Sequence, residues 1–267
     1  MEKIKNQNLK FKIIEFLIFT FCILLFAFFG TASAELTAKA NHDHIKIDFF
    51  YHGSTVSISG ISDPGTDLII KIASPEGHQE LRQKGKVAGF LWMNTGTLKF
   101  ENVPNLYFVH STWKVEDILS KEEMDKYLIG YPSLEKHMEM NPVSNEDEKT
   151  KWFNEFVNFK ERTKLYANSS GGIRLTRKDG KQNYYILTDW PYQAPPGNYT
   201  VTVYEVKNKK VVDTAQANVL VEQAGVVKSL AGMAKNKGAL YGIISIFAAL
   251  GAGFGVGMIF RKGGGAH

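Results

Sequence analysis

The sequence predicts a mainly β protein: an immunoglobulin-like antiparallel β-sandwich with a helical insertion, ending in one C-terminal transmembrane helix. Three observations predict it. Apolar and polar residues alternate across residues 36–108 and again across 173–221, in short runs broken by turn residues. Between them, residues 114–167 change to helical spacing. Residues 238–260 are 23 consecutive residues without a charge, which at about 1.5 Å per residue cover the roughly 30 Å hydrocarbon core of a bilayer.

The elements follow in order. Ile45, Ile47 and Phe49 alternate with Lys46, Asp48 and Phe50, and Val56 and Ile58 continue after Gly53-Ser54. Asp63-Pro64-Gly65 is a turn, Leu68, Ile70 and Ile72 alternate again, and Pro75-Glu76-Gly77 turns once more. Residues 87–93 and 97–100 are expected to extend this sheet, with Asn94-Thr95-Gly96 as the turn between them. Ser120-Lys121-Glu122-Glu123 reads as a capping box, and Gly130 is expected to end the helix that carries Met124, Tyr127 and Leu128. After the break at Asn141-Pro142, Trp152, Phe153, Phe156, Val157 and Phe159 form the apolar stripe of a longer helix, about 145–166, and are expected in the core. Sheet returns at 173–176 and 184–188 around Lys178-Asp179-Gly180-Lys181. Pro195-Pro196-Gly197 then leads into a strand with Tyr199, Val201 and Val203 on one face. A tyrosine so placed anchors a sandwich corner, its ring in the core and its hydroxyl on nearby backbone.

The ends of the chain carry targeting signals. Lys3, Lys5, Lys10 and Lys12 precede the apolar residues 16–29, and Ala32 and Ala34 suit a signal peptidase, so residues 1–34 are expected to be a signal peptide cleaved before Glu35. The alternative is an uncleaved anchor helix. Cys22 is the only cysteine, so the processed chain has no thiol. That excludes disulfides, iron-sulfur clusters, thiolate zinc sites and cysteine nucleophiles. The formal charge of +5 falls to +3 once residues 1–34, with four Lys and two Glu, are removed. Acids and bases are interspersed, so nucleic-acid binding is not expected. Lys228, Lys235 and Lys237 before the span offset Arg261 and Lys262 after it, and the signal peptide decides the orientation. The expected plan is an exported domain at 35–224, a juxtamembrane linker at 225–237, the span at 238–260 and an inside tail at 261–267. In the linker, Val226, Leu230 and Met233 share one helical face, which suits either an interfacial helix or a solvated connection.

Chemistry-bearing motifs are sparse. His42, His44 and His52 are the nearest approach to a metal cluster, although a polar strand end explains them as well. His137-Met138-Glu139-Met140 offers thioethers, with Met138 more readily placed in the core. There is no Gly-x-Ser-x-Gly elbow, no Ser-x-x-Lys motif, and no phosphate loop at Gly171-Gly172. Asp189-Trp190 beside Tyr192 suggests either a sugar platform or a loop anchored by aromatics. In the span, Gly251 and Gly255, and likewise Ala249, Gly253 and Gly257, lie at the four-residue spacing that permits close helix packing. No catalytic residue and no cofactor is expected.

Taken together, the chain resembles the Alph_Pro_TM family of transmembrane proteins, described mainly from alpha-proteobacteria. The resemblance rests on Gly53, Val56 and Gly60; Val87-Ala88-Gly89-Phe90-Leu91-Trp92 with Asn94; Phe100, Pro104 and Tyr107; Ile129-Gly130; Pro195-Pro196-Gly197 with Tyr199 and Val201; and Tyr241-Gly242. It implies an exported domain on one C-terminal helix, with no assigned catalytic residues, in members sometimes encoded near permeases of the sulfite-exporter type. The expectation is therefore a single-pass protein of the bacterial inner membrane, its domain periplasmic and its C-terminus cytoplasmic. It would be a non-catalytic accessory module whose partners are the lipid bilayer and a polytopic permease. The alternative is a periplasmic metal or small-ligand binding protein.

Overall fold

The computed structural model describes residues 35–261, with side chains as far as Met258. The expected signal peptide and nearly all of the tail lie outside the described residues. Two sheets pack face to face. The first has the order β1 (Lys39–Asn41), β3 (Ser54–Ser62), β11 (Lys181–Trp190), β10 (Arg174–Lys178), all antiparallel. The second has the order β2 (His44–Ile47), β13 (Lys210–Gln223), β12 (Gly197–Lys207), β4 (Asp67–Ala73), β7 (Tyr107–Ser111), β9 (Tyr166–Ser170). Its two outer pairs, β2 with β13 and β7 with β9, are parallel. The orders β1-β3-β11-β10 and β13-β12-β4 are compatible with the A-B-E-D and G-F-C strands of an immunoglobulin-like sandwich.

Strand alternation builds the core between the sheets. Val56 and Ile58 of β3 and Tyr184, Ile186 and Trp190 of β11 meet Leu68, Ile70 and Ile72 of β4 and Tyr199, Val201 and Val203 of β12. Each aliphatic side chain fully buried here stabilises the fold by about 1.5–3 kcal/mol before entropy is counted. The corner tyrosine stands where the sequence places it: Tyr199 packs edge-on to Trp190 at 4.8 Å and donates its hydroxyl to the Pro195 carbonyl.

The six-stranded sheet is buried on its second face as well. Ile69 of β4, Tyr107 and Val109 of β7, and Tyr204 and Val206 of β12 point away from the sandwich and pack under the insertion. That insertion holds α1 (Val115–Ile118), α2 (Lys121–Tyr127), α3 (Tyr131–His137) and α4 (Glu146–Arg162). Phe153, Phe156 and Val157 of α4 are buried, with Phe156 stacked on Phe100 at 4.5 Å, whereas Phe159 is exposed. Asn145 caps α4 by accepting from the Glu148 amide, and the helix stops at Arg162, a turn short of the expected end. The capping box is half realised. Ser120 accepts from the Glu123 amide, but the Glu123 carboxylate turns outward to accept from Val211 at 3.0 Å, tying α2 to the start of β13. Gly130 does not end α2; Leu128 does, in the left-handed region at φ 51°. Gly130, at φ 88°, instead precedes α3, a helix absent from the sequence reading. The Tyr107 hydroxyl holds this joint by donating to Leu128 O at 2.9 Å and accepting from Gly130 N at 2.8 Å.

Residues 87–100 do not extend the sandwich. They belong to a hairpin, β5 (Glu76–Val87) and β6 (Leu91–Pro104), which forms a separate sheet with β8 (Glu139–Asn141). Its turn is at Ala88-Gly89, with φ 52° and 79°. Asn94-Thr95-Gly96 is a bulge inside β6: Gln83 pairs Gly96 and Lys84 pairs Asn94, leaving Thr95 without an opposite residue. Leu98 and Phe100 at the root of the hairpin enter the helical core, while every residue from Lys86 to Thr95 is exposed. After β13 the chain forms α5 (Gly225–Asn236), with no buried residue, and then α6 (Gly238–Arg261).

Candidate functional site

One end of the sandwich carries an open cavity of about 500 Å³. Three segments meet there: the loop from β2 to β3 with His52 and Gly53, the loop from β11 to β12 with Pro191, Tyr192 and Gln193, and the end of α4 with Arg162 and Lys164. Register explains the meeting. Trp190, last in β11, pairs with Ser54, first in β3, and α4 ends just before β9 begins beside Tyr107. Two basic side chains, Arg162 and Lys164, therefore share the rim with one carboxylate, Asp189. Trp190 lines the cavity with 2% of its surface exposed, and its indole N–H has no hydrogen-bond partner. An open sugar platform needs an exposed ring. Trp190 is instead locked in the core against Tyr199, and Tyr192 alone stands free at 64% exposure.

The histidines do not converge. His44 Nε2 lies 2.9 Å from Glu222 Oε1 across the parallel β2–β13 pair. His42 occupies a turn at φ 60°, and His52 belongs to the cavity rim. Among the described residues no group of three His, Cys, Asp or Glu side chains is placed to hold a metal ion. His137 pairs with Glu76 at 3.1 Å, and Met138 and Met140 are buried in the helical core.

The strongly perturbed groups that sequence reasoning missed tie layers together. His110 of β7 faces the sandwich core, its Nδ1 2.7 Å from Ser169 Oγ on β9 and its Nε2 3.4 Å from Thr188 Oγ1 on β11. Burial pushes its pKa down to about 4. An imidazole so weakly basic, with a threonine where a triad would have a carboxylate, bridges the two sheets. Lys71 reaches Tyr127 O at 2.5 Å from the other face of β4, and burial lowers its pKa to about 8, against the pull of Glu76. Lys160 of α4 donates to Asn105 O at 3.2 Å, its ammonium 5.5 Å from the Phe156 ring centroid, and burial lowers it to about 8 likewise. No local motif announces these contacts, because each partner is distant in the chain.

The last element is helix α6. Among the described residues it is the one helix long and apolar enough to cross a membrane, over Gly238–Met258, and none of that window is buried in the protein. A Cβ added at Gly251, Gly253, Gly255 or Gly257 would meet nothing within 4 Å, so the small-residue faces are uncovered. The family model described as "Putative transmembrane protein (Alph_Pro_TM)" matches residues 35–262. The chain belongs to this family. The match takes in the sandwich, the helical insertion, the hairpin and α6, so it covers every element described above. As an Alph_Pro_TM member the chain is a membrane protein, with its candidate transmembrane helix near the C-terminus. No curated protein matches the sequence.

Proposed function

We propose that the chain is a single-pass protein of the bacterial inner membrane, with its domain in the periplasm, and that it serves as a non-catalytic accessory module for an envelope transporter or assembly. The observation that carries this reading is the short connection from β13 through α5 to α6, which keeps the folded domain beside whatever α6 packs against. Two further features support it. The small residues of α6 allow close backbone approach to another membrane helix. His110, Lys71 and Lys160 hold layers together and do not face a common open pocket. Leu36 enters the sandwich at the end opposite Gln223, since Thr37 pairs with Ile61 while Gln223 pairs with Ile47. A chain that leaves for the bilayer from the end opposite Leu36 fits removal of residues 1–34. A polytopic permease of the sulfite-exporter type is the proposed partner, on the family resemblance. Affinity capture through the C-terminus after mild detergent extraction is expected to recover a polytopic membrane protein; recovery of the chain alone would overturn the reading.

A second reading, a small-ligand receptor, is favoured by Arg162 and Lys164, which share the cavity rim with a single carboxylate, Asp189. It predicts a rise in melting temperature with a small anion or zwitterion that is lost in Arg162→Ala. A flat response across such ligands would remove it.

A further inference from the structure

Several of the domain's most exposed aromatic side chains lie at one end or on the hairpin that leaves from it. That end can be defined by register alone. Gln223, the last residue of β13, is level with Ile47 of β2; Val221 pairs with Gly197; Thr200 pairs with Ala73; and Ala73 pairs with Tyr107. The chain therefore leaves for α5 and α6 from the same end at which the β5–β6 hairpin departs after Ala73 and returns before Tyr107. The loop after Ile47 is at this end too, with Phe49 and Phe50 exposed at 73% and 77% and set edge to face at 5.3 Å. So is the loop bearing Tyr192, which precedes Gly197. At the opposite end lie the polar turns at Asp63-Pro64-Gly65, Lys178–Lys181 and Asn208-Lys209, with Trp113 the exposed aromatic among them.

The hairpin is the most unusual of these features. Strand β5 has twelve residues, about 40 Å at roughly 3.3 Å each. Phe90, Leu91, Trp92 and Met93 at its tip are exposed, Phe90 at 79% and Trp92 at 64%, and residues 86–95 are uncovered on both faces. Leaving such a cluster in water is unfavourable. Its charge pattern is one-sided. Arg82, Lys84 and Lys86 are its only charges between Leu81 and Leu98, with no acid among them; Lys99, nearer the root, pairs with Glu80 at 3.5 Å. The Lys86 ammonium lies 5.3 Å from the Trp92 ring centroid, on the opposite strand. An aromatic and aliphatic tip behind a purely cationic collar matches a bilayer surface, where rings sit at headgroup depth and lysines meet anionic phosphates.

We propose that the tip of the β5–β6 hairpin inserts into the anionic bilayer that α6 crosses, giving the domain a second attachment and holding its hairpin end toward the membrane. Two points of contact restrict rotation about the α5 connection. A partner protein would thus meet the domain in a fixed orientation.

The test uses the full chain reconstituted in vesicles of phosphatidylcholine with or without phosphatidylglycerol, the native Cys22 replaced by Ser. A nitrobenzoxadiazole label is placed at Met93→Cys, and at Thr176→Cys on exposed β10 as the reference. Insertion predicts blue-shifted emission at the Met93→Cys site and quenching by doxyl-labelled lipid, stronger with phosphatidylglycerol. Combining Lys84→Gln with Lys86→Gln should reduce the quenching by about half or more. Emission and quenching at the Met93→Cys site equal to those at the Thr176→Cys site would overturn the proposal. So would a blue shift without lipid quenching but with energy transfer between copies, which would assign the tip to a second copy of the chain. Only this protein and lipid are present, so the result is independent of the permease partnership tested by affinity capture.

Discussion

The sheet-to-sheet bridge at His110 makes a quantitative prediction about acid stability. In the folded chain the imidazole takes up a proton only near pH 4, whereas its ordinary pKa is 6.5. The unfolded chain therefore binds the proton first as pH falls, and stability, full above pH 6.5, is lost progressively down to about pH 4. At about 1.36 kcal/mol per pH unit the complete loss is about 3 kcal/mol, of which about 2.5 kcal/mol has gone by about pH 4.5. Replacing His110 with Gln keeps a side chain able to hydrogen-bond Ser169 and removes the titration, at a pH-independent cost of about 1 kcal/mol. Urea unfolding of the full chain in detergent, followed by tryptophan fluorescence, is run at pH 7.5 and 4.5 for both proteins. Subtracting one difference from the other cancels the remaining titrating groups. Wild type should lose about 2.5 kcal/mol more than His110→Gln on acidification. Parallel losses would refute the reasoning, since a buried neutral imidazole cannot leave stability unchanged across its own titration.

Four further substitutions probe the packing. Gly60→Ala would place a Cβ 1.9 Å from the Thr37 carbonyl oxygen and 2.6 Å from the Tyr184 hydroxyl, so a loss of about 2–4 kcal/mol is expected from overpacking and a displaced hydrogen bond. Gly77→Ala, which meets nothing within 4 Å, should stay within about 0.5 kcal/mol by the same unfolding assay. Tyr199→Phe removes the donor to Pro195 and should cost about 1 kcal/mol with the fold retained by circular dichroism; no loss would deny the corner its role. Glu123→Ala leaves the Val211 amide without its acceptor and should cost about 1–3 kcal/mol, with faster hydrogen exchange at Val211 as the local signature.

The sandwich was legible because its strands follow simple alternation, and Tyr199 because its role depends on a turn only four residues away. Burial on both faces of the second sheet is also visible in retrospect. Ile69 interrupts the alternation of Leu68, Ile70 and Ile72, as expected of a strand covered from two sides. What escaped has a common cause. Asn94-Thr95-Gly96 has turn chemistry, yet the strand continues through it, because a bulge accepts the same residues as a turn. Glu123 sits where a capping box wants it, but the Val211 amide competes successfully from 88 residues away. His110 and the parallel β7–β9 pair depend on the insertion bringing residues 107 and 166 together, which no local pattern records. Of the candidate site, sequence reasoning singled out His52, as a metal candidate, and Asp189, Trp190 and Tyr192, as a sugar platform or an aromatic-anchored loop, without bringing them together, and it missed Arg162 and Lys164, which reach the cavity only through the packing of α4.

The measurement that bears most directly on the whole account is the sidedness of the domain. A full chain with Cys22→Ser and Thr176→Cys, expressed in a Gram-negative host, is exposed to a membrane-impermeant maleimide in intact spheroplasts and, separately, after lysis. The account predicts full labelling in intact spheroplasts with the chain retained in carbonate-washed membranes. Labelling only after lysis, or release of the chain by the wash, would contradict it.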